Sequence, residues 1–190
     1  MGTVGTKELV ARQSATPVTG WEERWLSSIL EYMSTMVDGI AIREDDLSGE
    51  ATRSLVRLHL EGMRAHSPPG SVFALDYSGL TSADVRLWTA WIRKEIAGMG
   101  ALRDLGDGTG EVKSMRTHPR FLRRGVGAAL LEHIIAAARA AGMVRLSLET
   151  GSGPAFEPAL ALYRRRGFVS GAPFAQYTRS DFNQFLHLDL

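Results

Sequence analysis

A mixed α/β (α+β) fold, with a mostly antiparallel central sheet flanked by helices, is the class this sequence predicts. Three strand-like runs, Val85–Ile92, Ile96–Leu102 and Glu111–Thr117, follow one another across short connections. Arg93-Lys94-Glu95 and Gly106-Asp107-Gly108-Thr109-Gly110 are those connections, and their brevity implies an antiparallel meander. The pattern then switches to helix, strand, helix, strand, which places helices on the sheet. With 44% hydrophobic and 23% charged residues the chain can bury a core between these layers, so it is not a disordered polymer.

The elements follow in order. Residues 1 to about 18 read as a polar arm. From Gly20 an amphipathic helix is expected, with Trp21, Trp25, Leu26, Ile29, Leu30, Met33 and Met36 at three- and four-residue steps. Thr19 is its N-cap, with Glu22 and Glu23 in the first turn. We place a boundary here, giving an N-terminal segment 1–38 and a main domain 39–190. Ile40–Arg43 reads as a short strand, then Gly49–Arg64 as a helix carrying Leu55, Leu58, Leu60 and Met63. His66-Ser67-Pro68-Pro69-Gly70 breaks it, since prolines and glycine cannot continue a helix. After the meander, Gly125–Ala141 is helical, with Leu130, Leu131, Ile134, Ile135 and Ala138 on one face. Val144–Glu149 is a strand, Phe156–Arg166 a helix, and Phe185–Leu190 a closing strand.

Composition narrows the function. Twenty-two basic against 21 acidic residues leave a net charge of +1, which is no footprint for nucleic acid or an anionic membrane. The absence of cysteine excludes a disulfide framework, a thiolate nucleophile and a Cys-ligated metal. His59, His66 and His118 are not at metal-ligand spacing, so no metal site is expected. Neither a signal-like apolar core nor an apolar run of membrane-spanning length is visible, which predicts a cytoplasmic protein.

Glu111 to Leu131, EVKSMRTHPRFLRRGVGAALL, is the most informative segment. A strand enters a loop with Arg120, Arg123 and Arg124, and Gly125-Val126-Gly127 opens a helix. Free amides at a helix N-terminus, aligned with the helix dipole, attract phosphate, and glycines let it approach. The arginines can pair with the remaining charge. A Walker loop fails because Ala128-Ala129 follows Gly127 where Lys-Ser/Thr is required. A dinucleotide fingerprint has Glu149 at the ribose spacing, yet Leu130 stands at its third glycine and seven residues separate strand from loop.

The segment resembles the GNAT superfamily of acyl-CoA-dependent N-acyltransferases, whose motif is Q/R-x-x-G-x-G/A before an apolar helix. The resemblance spans Gly39 to Leu190 and includes Ala159-Leu160-Ala161-Leu162-Tyr163 running to Gly167-Phe168, which fits the family's A-x-x-L-Y-x-x-x-G-F. Leu148-Glu149-Thr150-Gly151-Ser152 and Pro173-Phe174 with Tyr177 look like a bacterial acetyltransferase subgroup. Two positions depart from the pattern: Leu122 stands where Q/R is usual, and Phe156 where the second motif opens with Asn.

What the resemblance implies is specific. The sheet is expected to splay between the fourth and fifth strands. Acetyl-CoA is the expected cosubstrate, held by Met115, Arg116 and Thr117 on the splayed strand and by Leu122, Arg123, Arg124, Gly125, Val126, Gly127 and Ala128 in the loop. Tyr163 matches the general acid, and a phenol near pKa 10 suits a departing thiolate. Its plainer alternative is a core residue beside Leu160 and Phe168. Glu111 is the expected base, with a same-face ion pair to Lys113 as its alternative. Glu149, Tyr77, Tyr177 and His66 are candidates for the acceptor pocket. The expected reaction is direct attack by a primary amine on acetyl-CoA in a ternary complex, consistent with the lack of a cysteine nucleophile. A small amine or amino-acid derivative is the favoured acceptor, a protein amine a second one, and a homodimer is the family expectation. Two rivals stand beside this reading: a GNAT-fold module that binds acyl-CoA without turnover, and a Rossmann-type nucleotide enzyme.

Overall fold

The computed structural model describes residues 36–37, 39–70 and 73–190. The expected N-terminal arm and amphipathic helix lie outside the described residues, apart from the last of the helical stripe. There the expectation is corrected: Met36 belongs to a strand, β1 (Met36–Val37), and pairs with Ala41. Gly39, at φ +78°, supplies the left-handed turn that folds β1 back along β2 (Ile40–Glu44).

Helix α1 (Glu50–His66) follows, then a four-residue helix α2 (Tyr77–Leu80), and the meander β3 (Val85–Ile92), β4 (Glu95–Asp104) and β5 (Thr109–Thr117). A 3-10 turn at Pro119–Phe121 leads to α3 (Val126–Ala140), β6 (Arg145–Gly151), α4 (Glu157–Arg165), β7 (Val169–Ser170) and β8 (Asn183–Asp189). Among the described residues one sheet forms, in the order β1-β2-β3-β4-β5-β6-β8-β7. Its pairs are antiparallel except β5–β6, joined by the crossover through α3. The mixed sheet with flanking helices is thus the fold class the sequence predicts. The short α2 and β7 escape a periodicity argument because neither completes two turns or an alternation. Asp76 caps α2 by accepting from the Gly79 amide.

Each face of the sheet carries its own apolar layer. On one, Val126, Leu130, Leu131, Ile134 and Ala138 of α3 and Leu160 and Tyr163 of α4 pack on Ala90, Leu102, Val112, Leu146 and Leu148. On the other, Leu55, Val56 and Leu60 of α1 meet Leu87, Met99 and Ala101. Leu58, expected in that stripe, is only partly buried, and His59 takes a core-facing place instead. Gly98 lets α3 rest directly on the strand, since a Cβ there would lie 2.7 Å from Val126 Cγ1 and 2.9 Å from the Arg116 carbonyl oxygen.

The feature that positions the site is the parting of β5 from β6. They pair only at Thr109–Arg145, Gly110–Leu146 and Glu111–Ser147, although β5 runs on to Thr117 and β6 to Gly151. On one side β5 is bent by a bulge: the register with β4 shifts between Met99 and Ala101, and Ser114 sits at φ +51°. On the other, β6 stays with β8 along its whole length, from Arg145–Asp189 to Gly151–Asn183. With β1 added at the front, the expected opening between fourth and fifth strands falls between β5 and β6. Among the described residues no helix is long and apolar enough to cross a membrane.

The close seat of α3 gives a stability test. Gly98→Ala is expected to lower the unfolding free energy by roughly 1–3 kcal/mol, because a backbone oxygen and a packed valine must both shift. Urea denaturation measures it, and an unchanged midpoint would show that the helix does not rest on this strand.

Candidate active site

A cavity of about 220 Å³ fills the opening between the parted strands. Val112 to Arg116 of β5 and Glu149 and Thr150 of β6 form its two walls. His59, Gly62, Met63 and His66 of α1 close one side with Phe73 and Ala74, and Phe156, Ala159 and Tyr163 close the other. Since the His118 amide donates to the Ala97 carbonyl on β4, strand alternation turns the Met115 and Thr117 amides away from β4, toward the opening.

The glycine loop lies on the α3 side. Gly125 caps the helix at φ +80°, and Arg123 before it is also left-handed at φ +60°. The amides of Gly125 through Ala128 make no hydrogen bond among the described residues. They are therefore a concentrated donor set at the positive end of α3. A Cβ on Gly127 would lie 3.3 Å from Leu162 and 3.4 Å from Thr117 Oγ1, so that position faces both the second motif and the end of β5. Leu122, Arg123 and Arg124 are exposed, and the Arg124 guanidinium lies 5.1 Å from the centre of the Phe121 ring. Arg120 is engaged with Glu95 at 2.5 Å.

Glu111 is buried at the apex where the strands part. Its Oε1 accepts from Lys113 Nζ at 2.8 Å and from Tyr177 Oη at 2.6 Å, and Lys113 also donates to Tyr177 Oη at 2.6 Å. This closed triangle contains the same-face ion pair that two-residue spacing allows. Burial, with the Glu111 carboxylate second, pushes the Tyr177 phenol up, so it remains a donor. Its ring packs at 5.2 Å from Phe73 and 5.1 Å from Phe174, covering the triangle with an aromatic layer.

Glu149 differs from Glu111 in its partners and its access to the cavity. It lines the cavity, makes no hydrogen bond or ion pair among the described residues, and burial pushes its carboxyl up to about 7. Lys113 opposes that rise and Glu111 adds to it. Tyr163 also lines the cavity, and burial raises its phenol, keeping it protonated. His59 is buried, and desolvation, then the Arg116 charge, pushes it down to about 4, so it is neutral near pH 7.

The structure thus brings Met115, Arg116, Glu149, Tyr163 and His66 to one cavity, with Gly127 beside it through Thr117. Tyr177 and Glu111 stand behind the wall. Tyr77 is elsewhere: it is not among the cavity's lining residues, and its hydroxyl donates to the Arg53 carbonyl at 2.6 Å, tying α2 to α1. Sequence reasoning missed His59 and the Arg116 side chain. The only signal for His59 was its helical spacing from Leu55 and Met63. Among the described residues no cluster of His, Asp or Glu could hold a metal ion.

A sheet opened between parallel strands, with a glycine-led helix bearing free amides beside the opening, is the architecture of acyl-CoA N-acyltransferases. The model of the acetyltransferase (GNAT) family matches residues 52–168. The chain is 44% identical to the uncharacterized N-acetyltransferase YedL of Escherichia coli (strain K12) over 149 residues, 78% of this chain and 94% of that one. To the uncharacterized N-acetyltransferase YsnE of Bacillus subtilis (strain 168) it is 46% identical over 145 residues, 76% and 96% of the two chains. Among solved structures, an acetyltransferase of Bacillus subtilis in complex with CoA superposes with a TM-score of 0.60 at 20% identity, covering 80% of this chain and 99% of that one. The chain belongs to the GNAT family and is an N-acetyltransferase.

The buried carboxyl of Glu149 makes stability depend on pH. Its folded pKa of about 7 lies above the ordinary 4.5, so the folded state holds the proton more tightly. Stability from this group is full below 4.5 and falls as pH rises to about 7, by up to roughly 3 kcal/mol, less whatever water screens. Glu149→Gln is therefore expected to raise Tm at about pH 8 and to leave it near the native value at about pH 4.5. Scanning calorimetry at both values checks this, and equal shifts would mean the carboxyl is well solvated.

Proposed function

We propose that the domain 39–190 transfers an acetyl group from acetyl-CoA to a primary amine by direct attack in a ternary complex. The observation that carries this reading is the run of unpaired amides from Gly125 to Ala128, opening beside the parted strands. These residues fit a pyrophosphate: four successive amides without partners among the described residues stand at a helix N-terminus. Leu122, exposed at the usual Q/R position, leaves that binding to the backbone, with Arg123 and Arg124 adding charge. The Met115 and Thr117 amides serve the pantetheine arm along β5, as backbone donors do for an extended chain. Acetyl-CoA supplies the activated acetyl thioester. The CoA in the Bacillus subtilis structure belongs to that protein and is in keeping with this reading.

The chain's own residues then manage two protons. Glu149 takes the proton of the incoming ammonium, directly or through water, since a carboxyl with a pKa of about 7 is balanced between proton capture and release at neutral pH. Tyr163 Oη holds the proton that the leaving sulfur requires. Glu111, the base expected from the resemblance, is turned to Lys113 and Tyr177 and holds the apex closed behind the site. With no cysteine in the chain, a cysteine thioester plays no part.

Calorimetry with acetyl-CoA, CoA, NAD(P) and S-adenosylmethionine tests the reading. Binding of acetyl-CoA and CoA alone is expected, and binding only to a dinucleotide would overturn it. Gly127→Val should weaken acetyl-CoA at least about tenfold, because its side chain would press on Leu162 and Thr117 and displace the loop that carries the amides. In thiol-release assays Tyr163→Phe and Glu149→Gln should each lower kcat by roughly 10²–10⁴. Glu149→Gln should also abolish the rise of rate with pH around 7. Glu111→Gln should keep that rise while lowering Tm; loss of the rise in this variant instead would return the base to Glu111.

A further inference from the structure

The guanidinium of Arg116 is the charge in the cavity that nothing answers. Arg116 pairs with Met99 across the sheet, so its side chain leaves on the α1 face, opposite the glycine loop. It comes to rest against α1, where a Cβ on Gly62 would lie 3.1 Å from Nη1. Its Nε is fully buried and has no hydrogen-bond partner, and no carboxylate pairs with it among the described residues. By contrast Arg53, Arg57, Arg86, Arg103, Arg120 and Arg145 each hold a carboxylate at the surface, where a salt bridge contributes little. A half-buried guanidinium without an anion is costly, and a buried orphan of this kind that lines a cavity is a ready partner for a ligand anion.

The other charges in the cavity do not supply the anion. Lys113 and Glu111 cancel one another. Glu149 is on the β6 wall, and the charges acting on it are those of Lys113 and Glu111. His59, beside Arg116, is neutral and can share a hydrogen bond without adding charge.

Resting on the acetyltransfer reading above, we infer that the acceptor is a small amino acid-like molecule whose carboxylate binds the Arg116 side chain while its amine faces Glu149. The walls separate the two functions. Arg116 lies on the β5 wall against Gly62 of α1, and Glu149 lies on the β6 wall. A volume of about 220 Å³ suits a free amino acid rather than a segment of folded protein.

The test uses the full chain and pairs of probes that differ only in the carboxylate. L-phenylalanine is compared with phenethylamine, and L-leucine with isoamylamine, each with acetyl-CoA and a thiol-release readout. The amino acid of at least one pair is expected to exceed its amine in kcat/KM by roughly 10- to 100-fold, the range of a charge-assisted hydrogen bond. That ratio should fall to about one in Arg116→Gln and recover in part in Arg116→Lys, with the change lying in KM for the amino acid. Arg116→Gln is expected to fold, since it removes a charge that has no partner, and its Tm is measured alongside. Amines turned over as well as amino acids, or an unchanged ratio in Arg116→Gln, would overturn the inference while leaving acetyl transfer intact. Binding of acetyl-CoA without turnover of any probe would also overturn it, and absence of acetyl-CoA binding would remove the reading on which it rests.

Discussion

Beyond the Glu111–Ser147 pair, β5 and β6 separate, and a sheet that opens in its middle must satisfy two exposed edges at once. Here the edges are held apart from both sides. A bulge with Ser114 in the left-handed region interrupts the β4–β5 register, and β6 stays paired with β8 along its whole length. What the opening leaves behind is a wedge with unpaired backbone donors along one wall and an ionisable carboxyl on the other. The glycine-led end of α3 sits beside it because the β5-α3-β6 crossover must cover the same place in the sheet. Cavity and loop are therefore two consequences of one topological event.

The apex of that wedge is stabilised by an arrangement that would be expensive anywhere else. A buried carboxylate and a buried ammonium are tolerated because each has a partner, and Tyr177 closes the triangle. The triangle also anchors the stretch carrying Phe174 and Tyr177 over the sheet, where Phe73 packs edge to face with Tyr177 and Phe174 with Phe185. Electrostatically this leaves the site a clean division. Charges at the apex are spent on one another, whereas Glu149 and Arg116 line the cavity without partners among the described residues. Two carboxylates on neighbouring strands thereby acquire different properties from their surroundings alone.

Much of this was legible beforehand. The meander and the helix over Gly125–Ala141 were visible because long elements repeat their periodicity several times. The loop Arg123–Ala128 was visible because glycines at a helix start have few other uses. Tyr163 could be located from its spacing to Gly167-Phe168. The strand at Met36 was misread because its methionine continues a helical stripe, and only pairing with Ala41 across the Gly39 turn shows otherwise. Tyr77 was expected near the acceptor as an isolated aromatic in an unassigned stretch, yet its hydroxyl meets the Arg53 carbonyl, a contact 24 residues away that no local pattern encodes.

The sequence by itself determined the order of elements, the apolar faces and the place of the glycine loop before a helix. Each follows from neighbours within a few residues, where propensity and periodicity act. Only the tertiary structure decided which carboxylate is free and which is bound. Glu111 and Lys113 are two residues apart, but the Tyr177 that completes their triangle is 66 residues from Glu111. Glu149 owes its raised pKa first to burial, with Lys113 opposing the rise and Glu111 on the neighbouring strand adding to it. Arg116 reads in the chain as one more strand residue, and its Nε is buried without a partner among the described residues where it meets α1, some fifty residues earlier. Desolvation and pairing are properties of the space around a group, and that space is assembled from segments distant in sequence.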